Sequence, residues 1–346
     1  MTAGSVDPVT DPRWTQLVSR RKGGLFHSAL WLGAVQDAYR FPLQAAAVFD
    51  ANNQLIAGIP YAVLDGLPAA RVVAAPFCDA CDPLFERPEE WDQLCEALEV
   101  HRVPIHLRCL STDASGLDRF SVTKRARWHT ITLREHSEDR WKTLDPSAHR
   151  AIRKAGREGI RIRPLAVGTD LAAFHRMHVA LRKAKYRLLA QPFTFFESIA
   201  RRFGDAGNWH ALGAWAGGRL VAGTIYLRWG DTLYYKFNAS SPETLQARPN
   251  SLLTWEGIEL AAALGCRHLD LGPSDDDQPG LIRFKRQYGA EEREVRFLRL
   301  APCGWDDGPS HEPKRVLAGL TQLLTRPEVP DEIAAEAGAQ LYRYFA

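Results

Sequence analysis

The sequence lacks any apolar run close to the roughly 20 residues that cross a bilayer, so we expect no transmembrane segment. Its first residues have no basic start followed by an apolar core, and we therefore expect no signal peptide and a cytoplasmic location. An apolar content of 45% and a charged content of 25% exclude a wholly disordered chain. With 346 residues, the chain is long enough for two globular domains.

Motifs for metal binding and covalent catalysis are also missing. The six cysteines are scattered, and Cys78 and Cys81 form a lone C-x-x-C without a second pair at zinc-ligand spacing. Reduced thiols and no metal site are therefore predicted. The chain contains no Gly-x-Ser-x-Gly sequence and no recognisable Cys/His couple, which disfavours a covalent acyl-enzyme mechanism.

Positive charge is concentrated although the net charge is only +3. Residues 121–163 contain twelve Lys or Arg against five Asp or Glu, and a second cluster occupies 182–187. Arg150, Lys154 and Arg157 recur at positions i, i+4 and i+7, so they project from one helix face. Like charges on one face repel unless an anion offsets them. This pattern favours a phosphorylated substrate or a nucleic acid as partner, and a solvated helix face is the alternative.

The order of predicted elements indicates an α/β (α+β) fold. In the second half, two helices precede three antiparallel strands, of which the first two are joined by a Gly217-Gly218 hairpin. A helix at 249–264, a strand at 268–272 and a last strand at 294–300 follow. A weaker version of the same order occupies residues 20–133. The pattern predicts two similar domains.

Two stretches near the C-terminal end resemble a known family. An apolar strand ends on Asp270 and Gly272, and residues 280–289 then read Gly-Leu-Ile-Arg-Phe-Lys-Arg-Gln-Tyr-Gly. With the helix before them, these residues resemble the closing part of a GNAT-type acyltransferase domain. More narrowly, they resemble the tandem-GNAT FemABX-like group and its FemAB-like acetyltransferase relatives, over about residues 20–300.

The resemblance implies two GNAT-like domains in tandem, at 1–135 and 136–302. Each is expected to be a mixed, mostly antiparallel sheet flanked by helices, with a cleft between the domains. A C-terminal helical segment, 303–346, is expected to pack back on the first domain.

The turn before the helix at 249–264 bears on the acyl donor. GNAT domains normally hold the pyrophosphate of acetyl-CoA on a glycine-bearing turn at a helix N-terminus. Residues 240–251 contain no glycine, and Pro249 removes one N–H donor. This departure fits FemABX-like proteins, whose characterised members take an aminoacyl group from aminoacyl-tRNA. We expect aminoacyl-tRNA as co-substrate and no resident cofactor, with acetyl-CoA or another acyl-CoA as the alternative.

Lys285 is the strongest catalytic candidate that the resemblance implies. In the FemABX-like pattern this lysine lies in the cleft, where it contacts substrate phosphate or polarises the transferred carbonyl. The alternative is an exposed charge in a loop, and removing the side chain is expected to leave folding nearly unaffected. Asp270 and Asp275 are candidates for the base that deprotonates the amine.

Several further side chains are predicted to contact substrate. Asp79 and Asp82 lie in a Pro-Phe-x-Asp-x-x-x-Pro-Leu loop that is common in the FemABX-like group, although Asp79 can instead cap its own turn. Strand alternation places Tyr234, Lys236 and Asn238 on one face and Tyr235 and Phe237 on the other. The predicted substrate-binding set is Asp79, Asp82, Arg150, Lys154, Lys185, Tyr186, Arg187, Lys236, Asn238, Asn250, Trp255, Arg283 and Phe284.

Three function classes remain open from sequence alone. The first is amide formation by aminoacyl transfer from tRNA to a peptidoglycan precursor or a small-molecule amine. The second is CoA-dependent N-acylation, and the third is a non-catalytic binding module with a degenerate GNAT fold. The missing glycine turn favours the first class over the second. Lys236, Asn238 and Lys285 favour an enzyme over a binding module.

Overall fold

The computed structural model describes residues 1–110 and 119–346. The chain forms two compact units. The first unit comprises Met1–Ala126, Glu294–Leu320 and Arg343–Ala346, and the second comprises Arg127–Arg293 and Thr321–Tyr342. The division at residues 135 and 302 that the sequence suggested stays a prediction.

The first unit is a mixed sheet with helices packed on it. Its elements are β1 (Thr2–Val6), α1 (Pro12–Arg20), α2 (Ala29–Tyr39), β2 (Leu43–Phe49), β3 (Leu55–Leu64), β4 (Arg71–Ala74), α3 (Pro88–Glu99), β5 (Ile105–Cys109), β12 (Glu291–Leu300) and α10 (Gly308–Leu324). The strand order is β1-β2-β3-β4-β5-β12, and β4 pairs with β5 in parallel across α3. The other strand pairs are antiparallel.

The core of the first unit follows from strand alternation. Val72 and Ala74 on β4, and Leu107 on β5, point to α3 and pack with the buried Trp91. The intervening residues of these strands face the other side of the sheet. Burying one apolar face of each strand against α3 fixes the register, because a slip by one residue would expose the whole set.

The second unit repeats the arrangement on a larger scale. Its elements are the part of β6 (Ser121–Thr132) from Arg127 on, α4 (Ser137–Lys142), α5 (Pro146–Arg157), β7 (Arg161–Pro164), α6 (Thr169–Leu181), α7 (Phe193–Asp205), β8 (Trp209–Ala216), β9 (Arg219–Trp229), β10 (Thr232–Ser240), α8 (Pro249–Ala263), β11 (His268–Ser274), α9 (Pro279–Arg286) and α11 (Asp331–Leu341). The strand order is β6-β11-β10-β9-β8-β7. Only β10 and β11 are parallel among the described pairs of this unit.

Helix α8 crosses from β10 to β11 and packs close to the sheet. Gly257 on α8 lies against Tyr226 of β9, where a Cβ atom would clash with the tyrosine oxygen. The Tyr226 hydroxyl donates a hydrogen bond to the Leu253 carbonyl, 2.9 Å away. The small residue therefore sets the distance between helix and sheet.

Most predicted elements are present. The helix predicted across 140–158, with an interruption or a start at Asp145-Pro146-Ser147, is two helices, α4 and α5, because Asp145 caps a new start with its carboxylate on the Ser147 N–H and Pro146 follows. Strand β1 and helix α1 were not predicted. The segment around Phe284 and Lys285, for which a loop was the alternative, is helix α9. In the described part of the chain, no helix has both the length and the apolar character needed to span a bilayer.

Candidate active site

The candidate site of the second unit lies where β10 and β11 part. These strands are paired in parallel at only three positions, Thr232–Tyr234 with His268–Asp270, among the described residues. Helix α8 begins beyond the carboxyl end of β10. In open α/β sheets, ligands bind outside the carboxyl ends of the strands, where the connecting helix starts. A ligand-binding site is therefore expected at this edge of the sheet.

Strand β10 carries a β-bulge at this point. The register shifts between Tyr235 and Phe237, which makes Lys236 the extra residue. Tyr235 consequently contacts Tyr226, with ring centroids 5.5 Å apart, whereas Phe237 packs on Phe196 of α7 at 4.8 Å. The strict alternation predicted for this strand is thus wrong, since Tyr235 and Phe237 lie on opposite faces. The bulge re-aims Lys236, which is half-buried.

Strand β11 has a second bulge, at Leu271, opposite β6. The buried Asp270 secures it: one carboxylate oxygen accepts the Gly272 N–H at 2.7 Å and the other accepts the Trp128 indole N–H at 2.9 Å. Gly272 has φ +66°, a conformation that favours glycine. The geometry gives Asp270 a role in shaping β11, and its predicted function as a base stays a prediction.

Lys285 is buried, with 5% of its surface exposed. Its Nζ donates to the carbonyls of Gly272 and Pro273, at 2.9 and 2.8 Å. The alternative of an exposed loop charge is wrong, because α9 places Lys285 one turn after Ile282 on the inward helix face. The ammonium group therefore fixes the carbonyl end of β11.

A buried histidine lies beside this lysine. His129 is opposite Gly272 across the β6–β11 pair and is fully buried. Desolvation, and then the positive charge of Lys285, lower the pKa of His129 to about 4. Glu292, with Oε1 3.7 Å from His129 Nδ1, has its pKa lowered to about 2, chiefly by hydrogen bonds from Arg286. His129 is consequently neutral at physiological pH.

A cavity of about 590 Å³ opens at the N-terminus of α8 and is called the α8 cavity below. Three cationic side chains line it: Arg150 and Lys154 from α5 and Arg248 from the turn before α8. None of the three makes an ion pair with a described residue. Three cations in one cavity at the positive end of a helix dipole are an environment that favours an anion.

Predicted residues meet in the α8 cavity. Arg150, Lys154, Asn250 and Phe284 all line it, although they are up to 134 positions apart in the chain. The Asn238 amide donates to Asn250 Oδ1 at 3.2 Å and to the Gly223 carbonyl at 3.0 Å. Asn238 thus ties β10 to the first turn of α8.

Several backbone N–H groups in and after the turn before α8 donate to carbonyls of the chain itself. Those of Ser241, Thr244, Arg248 and Ser251 donate to backbone carbonyls at 2.9 to 3.3 Å. Pro249 has none to offer. These four N–H groups already have acceptors within the chain, and side-chain cations line the cavity.

Arg248 was missed by sequence reasoning. It is the only Lys or Arg between residues 240 and 251, and that signal was overlooked because the turn was examined for glycines. Its φ of +61° is unusual for a residue with a Cβ atom. Such strained positions concentrate at functional sites, where the surrounding structure holds them.

Much of the predicted basic surface is neutralised by acidic partners. Arg127 pairs with Asp276 and Glu292, at 2.7 and 3.1 Å, and Arg140 pairs with Glu259 at 2.8 Å. Further pairs join Arg125 with Glu294 and Lys142 with Asp139. Except for Asp139, these partners lie outside residues 121–163, so the local charge count overstates the net positive field.

The second basic cluster forms a π-helical turn, Arg182–Tyr186, at the end of α6. Lys185 and Tyr186 are exposed, and the Lys185 ammonium lies 5.0 Å from the Tyr186 ring centroid. The turn is held by α11 and the residues before it, since Lys183 bonds Asp331 at 2.8 Å and Arg187 donates to the Thr325 carbonyl at 2.8 Å.

The remaining predicted residues of the second unit lie apart from these groups. Trp255 packs edge-on against Trp141, with centroids 4.9 Å apart, in the α5–α8 core. Arg283 is exposed on α9, and Asp275 is a half-buried loop residue whose carbonyl accepts the Gln278 N–H. The geometry brings none of the three into the lining of the α8 cavity.

The acidic loop of the first unit follows β4. Asp82 Oδ1 accepts the Leu110 N–H at 2.9 Å, and the Asp82 carbonyl lies 2.7 Å from His27 Nε2. Asp79 is half-buried in the same loop. Cys78 and Cys81 are buried free thiols, and burial raises the pKa of Cys81. No described cluster of His, Cys, Asp or Glu is arranged to hold a metal ion.

Comparison with known proteins places this geometry in a class. A family model described as an acetyltransferase (GNAT) domain matches residues 147–286. The crystal structure of FemX superposes with a TM-score of 0.66 at 12% identity, covering 86% of this chain and 97% of that one. A tandem GNAT protein from the clavulanic acid biosynthesis pathway gives 0.55 at 14% identity, covering 88% and 99%.

L-PGS from Bacillus licheniformis gives a TM-score of 0.58 at 12% identity, with coverage of 92% of this chain and 98% of that one. A search of the curated proteins finds no match. The fold is thus like that of the tandem GNAT proteins, and the residues that match the acetyltransferase (GNAT) family model lie in the second unit. The resemblance to FemX-type proteins is confirmed at the level of the fold.

Proposed function

We propose that this protein is a GNAT-fold acyltransferase that forms an amide bond, transferring an aminoacyl group from aminoacyl-tRNA to an amine. The observation that carries the proposal is the α8 cavity. Arg150, Lys154 and Arg248 line it, while four N–H groups between Ser241 and Ser251, where an acyl-CoA pyrophosphate would be held, donate to backbone carbonyls. Recognition of phosphate by side-chain cations suits a nucleic acid backbone.

The reaction breaks the ester between the aminoacyl group and the tRNA ribose and forms an amide with the incoming amine. The ribose oxygen leaves with a proton, and the amine loses one. Binding both reactants in one place supplies much of the acceleration. Lys285 acts as a positioning residue, because its ammonium holds the Gly272 and Pro273 carbonyls at the end of β11. The acceptor is proposed to be a peptidoglycan precursor or a small-molecule amine.

Binding of charged total tRNA tests the donor. We expect the affinity to fall steeply with salt, since each neutralised phosphate releases counterions. The double variant Arg150→Gln/Lys154→Gln should bind more weakly and show a salt slope reduced by about 2, one for each lost contact. Lys142→Gln, an exposed lysine outside the cavity, should keep the wild-type slope.

Transfer is then measured by mass spectrometry of candidate amines after incubation with charged tRNA or with acetyl-CoA. Aminoacylated product from the tRNA reaction is expected. Micromolar acetyl-CoA affinity by calorimetry together with acetylated product would replace this proposal by CoA-dependent N-acylation. Binding without any product would favour the non-catalytic module.

A further inference from the structure

The first unit contains a cavity of about 280 Å³ that the proposed function does not use. It lies on the sheet face opposite α3, and we call it the sheet-face cavity. Arg71, His106 and Arg108 on β4 and β5 reach it, together with Phe297 and Arg299 on β12. These residues alternate with the apolar ones that pack on α3. The alternation therefore gives this sheet one apolar face and one cationic patch.

Positive charge converges in the sheet-face cavity. Arg71, Arg108, Arg299 and Lys314 line it, whereas Asp307 is the only acidic side chain among the described lining residues. Asp307 is already paired with Arg299, at 2.7 Å. Lys314 makes no ion pair with a described residue. The lining thus carries more positive than negative charge.

His106 lines the same cavity and is close enough to these four cations for their charges to affect its pKa. Desolvation first, and then the charges of Arg299, Arg71, Lys314 and Arg108, lower the pKa of His106 to about 4. The imidazole is therefore neutral at pH 7. Arg71 is also costly to bury, with 9% of its surface exposed, and it donates to the backbone oxygens of four residues. Such a convergence of cations is stabilised by an anion.

Aromatic residues also line the sheet-face cavity, among them Phe77, Phe297, Trp305 and Tyr344. The guanidinium carbon of Arg108 lies 5.1 Å from the Phe297 ring centroid. Aromatic walls with a few placed polar groups are typical of small-molecule sites. The lining therefore suits a ligand with an anionic group and a flat apolar group.

We propose that the sheet-face cavity binds a small organic anion, a carboxylate or phosphate ester carried on a flat apolar group. The anion would lie among Arg71, Arg108, Arg299 and Lys314, and the flat group would stack against the aromatic walls. This site is independent of the α8 cavity and of the donor proposed for it.

The probes are phenyl phosphate, benzoate, inorganic phosphate and the neutral benzyl alcohol, each titrated calorimetrically. Phenyl phosphate or benzoate should bind at least tenfold more tightly than benzyl alcohol and than inorganic phosphate, and the better of the two identifies the head group. The Trp305 indole N–H resonance, assigned through Trp305→Phe, should shift on binding.

Lys314→Gln should weaken the affinity for the aromatic anion about tenfold, because a charge-assisted contact is lost. Lys314 is exposed, so the substitution should not disturb the core. Lys154→Gln, in the α8 cavity, should leave that affinity unchanged. The proposal is overturned if neither aromatic anion binds better than benzyl alcohol. It is equally overturned if Lys314→Gln binds as wild type. A loss of affinity in Lys154→Gln would then place the anion in the α8 cavity.

Discussion

The burial of Lys285 makes a quantitative prediction about stability. Lys285→Met keeps most of the aliphatic stem but removes two hydrogen bonds from a charged donor to the Gly272 and Pro273 carbonyls. Hydrogen bonds to charged groups contribute about 1.5–3 kcal/mol each, and removing a buried ammonium recovers part of that through desolvation. We expect a net loss of about 2–3 kcal/mol.

Urea unfolding followed by tryptophan fluorescence measures this loss as a lower midpoint concentration. Lys142→Met is the matched control, since this exposed lysine contributes only an i,i+3 ion pair and should change stability by less than about 0.5 kcal/mol. With the identified donor, turnover of Lys285→Met should be about 10²-fold below that of wild type, the scale on which misplacing an active-site group acts. Lys285→Arg should rescue poorly, because a planar fork cannot replace a compact ammonium. An unchanged midpoint for Lys285→Met would refute the inferred role of the two carbonyl contacts.

Two further predictions concern the second unit. The folded-state pKa of His129, about 4, lies below the unfolded value near 6.5. The stability this provides is present above pH 6.5 and is lost as pH falls towards 4, so His129→Leu should flatten the decline of the urea midpoint between pH 6.5 and 4.5. An equal decline in the variant would exclude His129 as a contributor. Gly257→Ala should destabilise by about 2 kcal/mol through its clash with Tyr226, whereas Gly156→Ala, on an open helix face, should not. Thermal unfolding of the two variants checks this, and equal melting temperatures would contradict it.

Local sequence was enough for most elements of the fold. The Gly217-Gly218 pair predicts the β8–β9 hairpin, and the structure pairs Ala216 with Arg219 across it. The helical period before Gly265 predicts α8, and the residues from Cys266 to Gly272 predict β11. These signals work because turn geometry and backbone period act between neighbours in the chain.

Part of the candidate site was also readable from sequence. Arg150 and Lys154 lie one helical turn apart, so their shared face follows from spacing, and Phe284 and Asn250 belong to motifs that resemble the GNAT family. The sequence predicted that these residues contact substrate, and only the structure shows the cavity that they line together. Arg248 was visible as the sole cation of its turn and was missed.

Tertiary structure alone decided the environment of each charge. Whether Lys285 is exposed depends on Gly272 and Pro273, 13 and 12 residues earlier in the chain, and the Asp270 contact with Trp128 spans 142 residues. The bulge at Lys236 depends on pairing with β9, and the charge of Arg127 is offset by carboxylates about 150 residues away. Composition and period determined which elements form. The burial, ion pairing and pKa of a side chain depend on residues that distant segments bring next to it. The sequence around that side chain does not specify those residues.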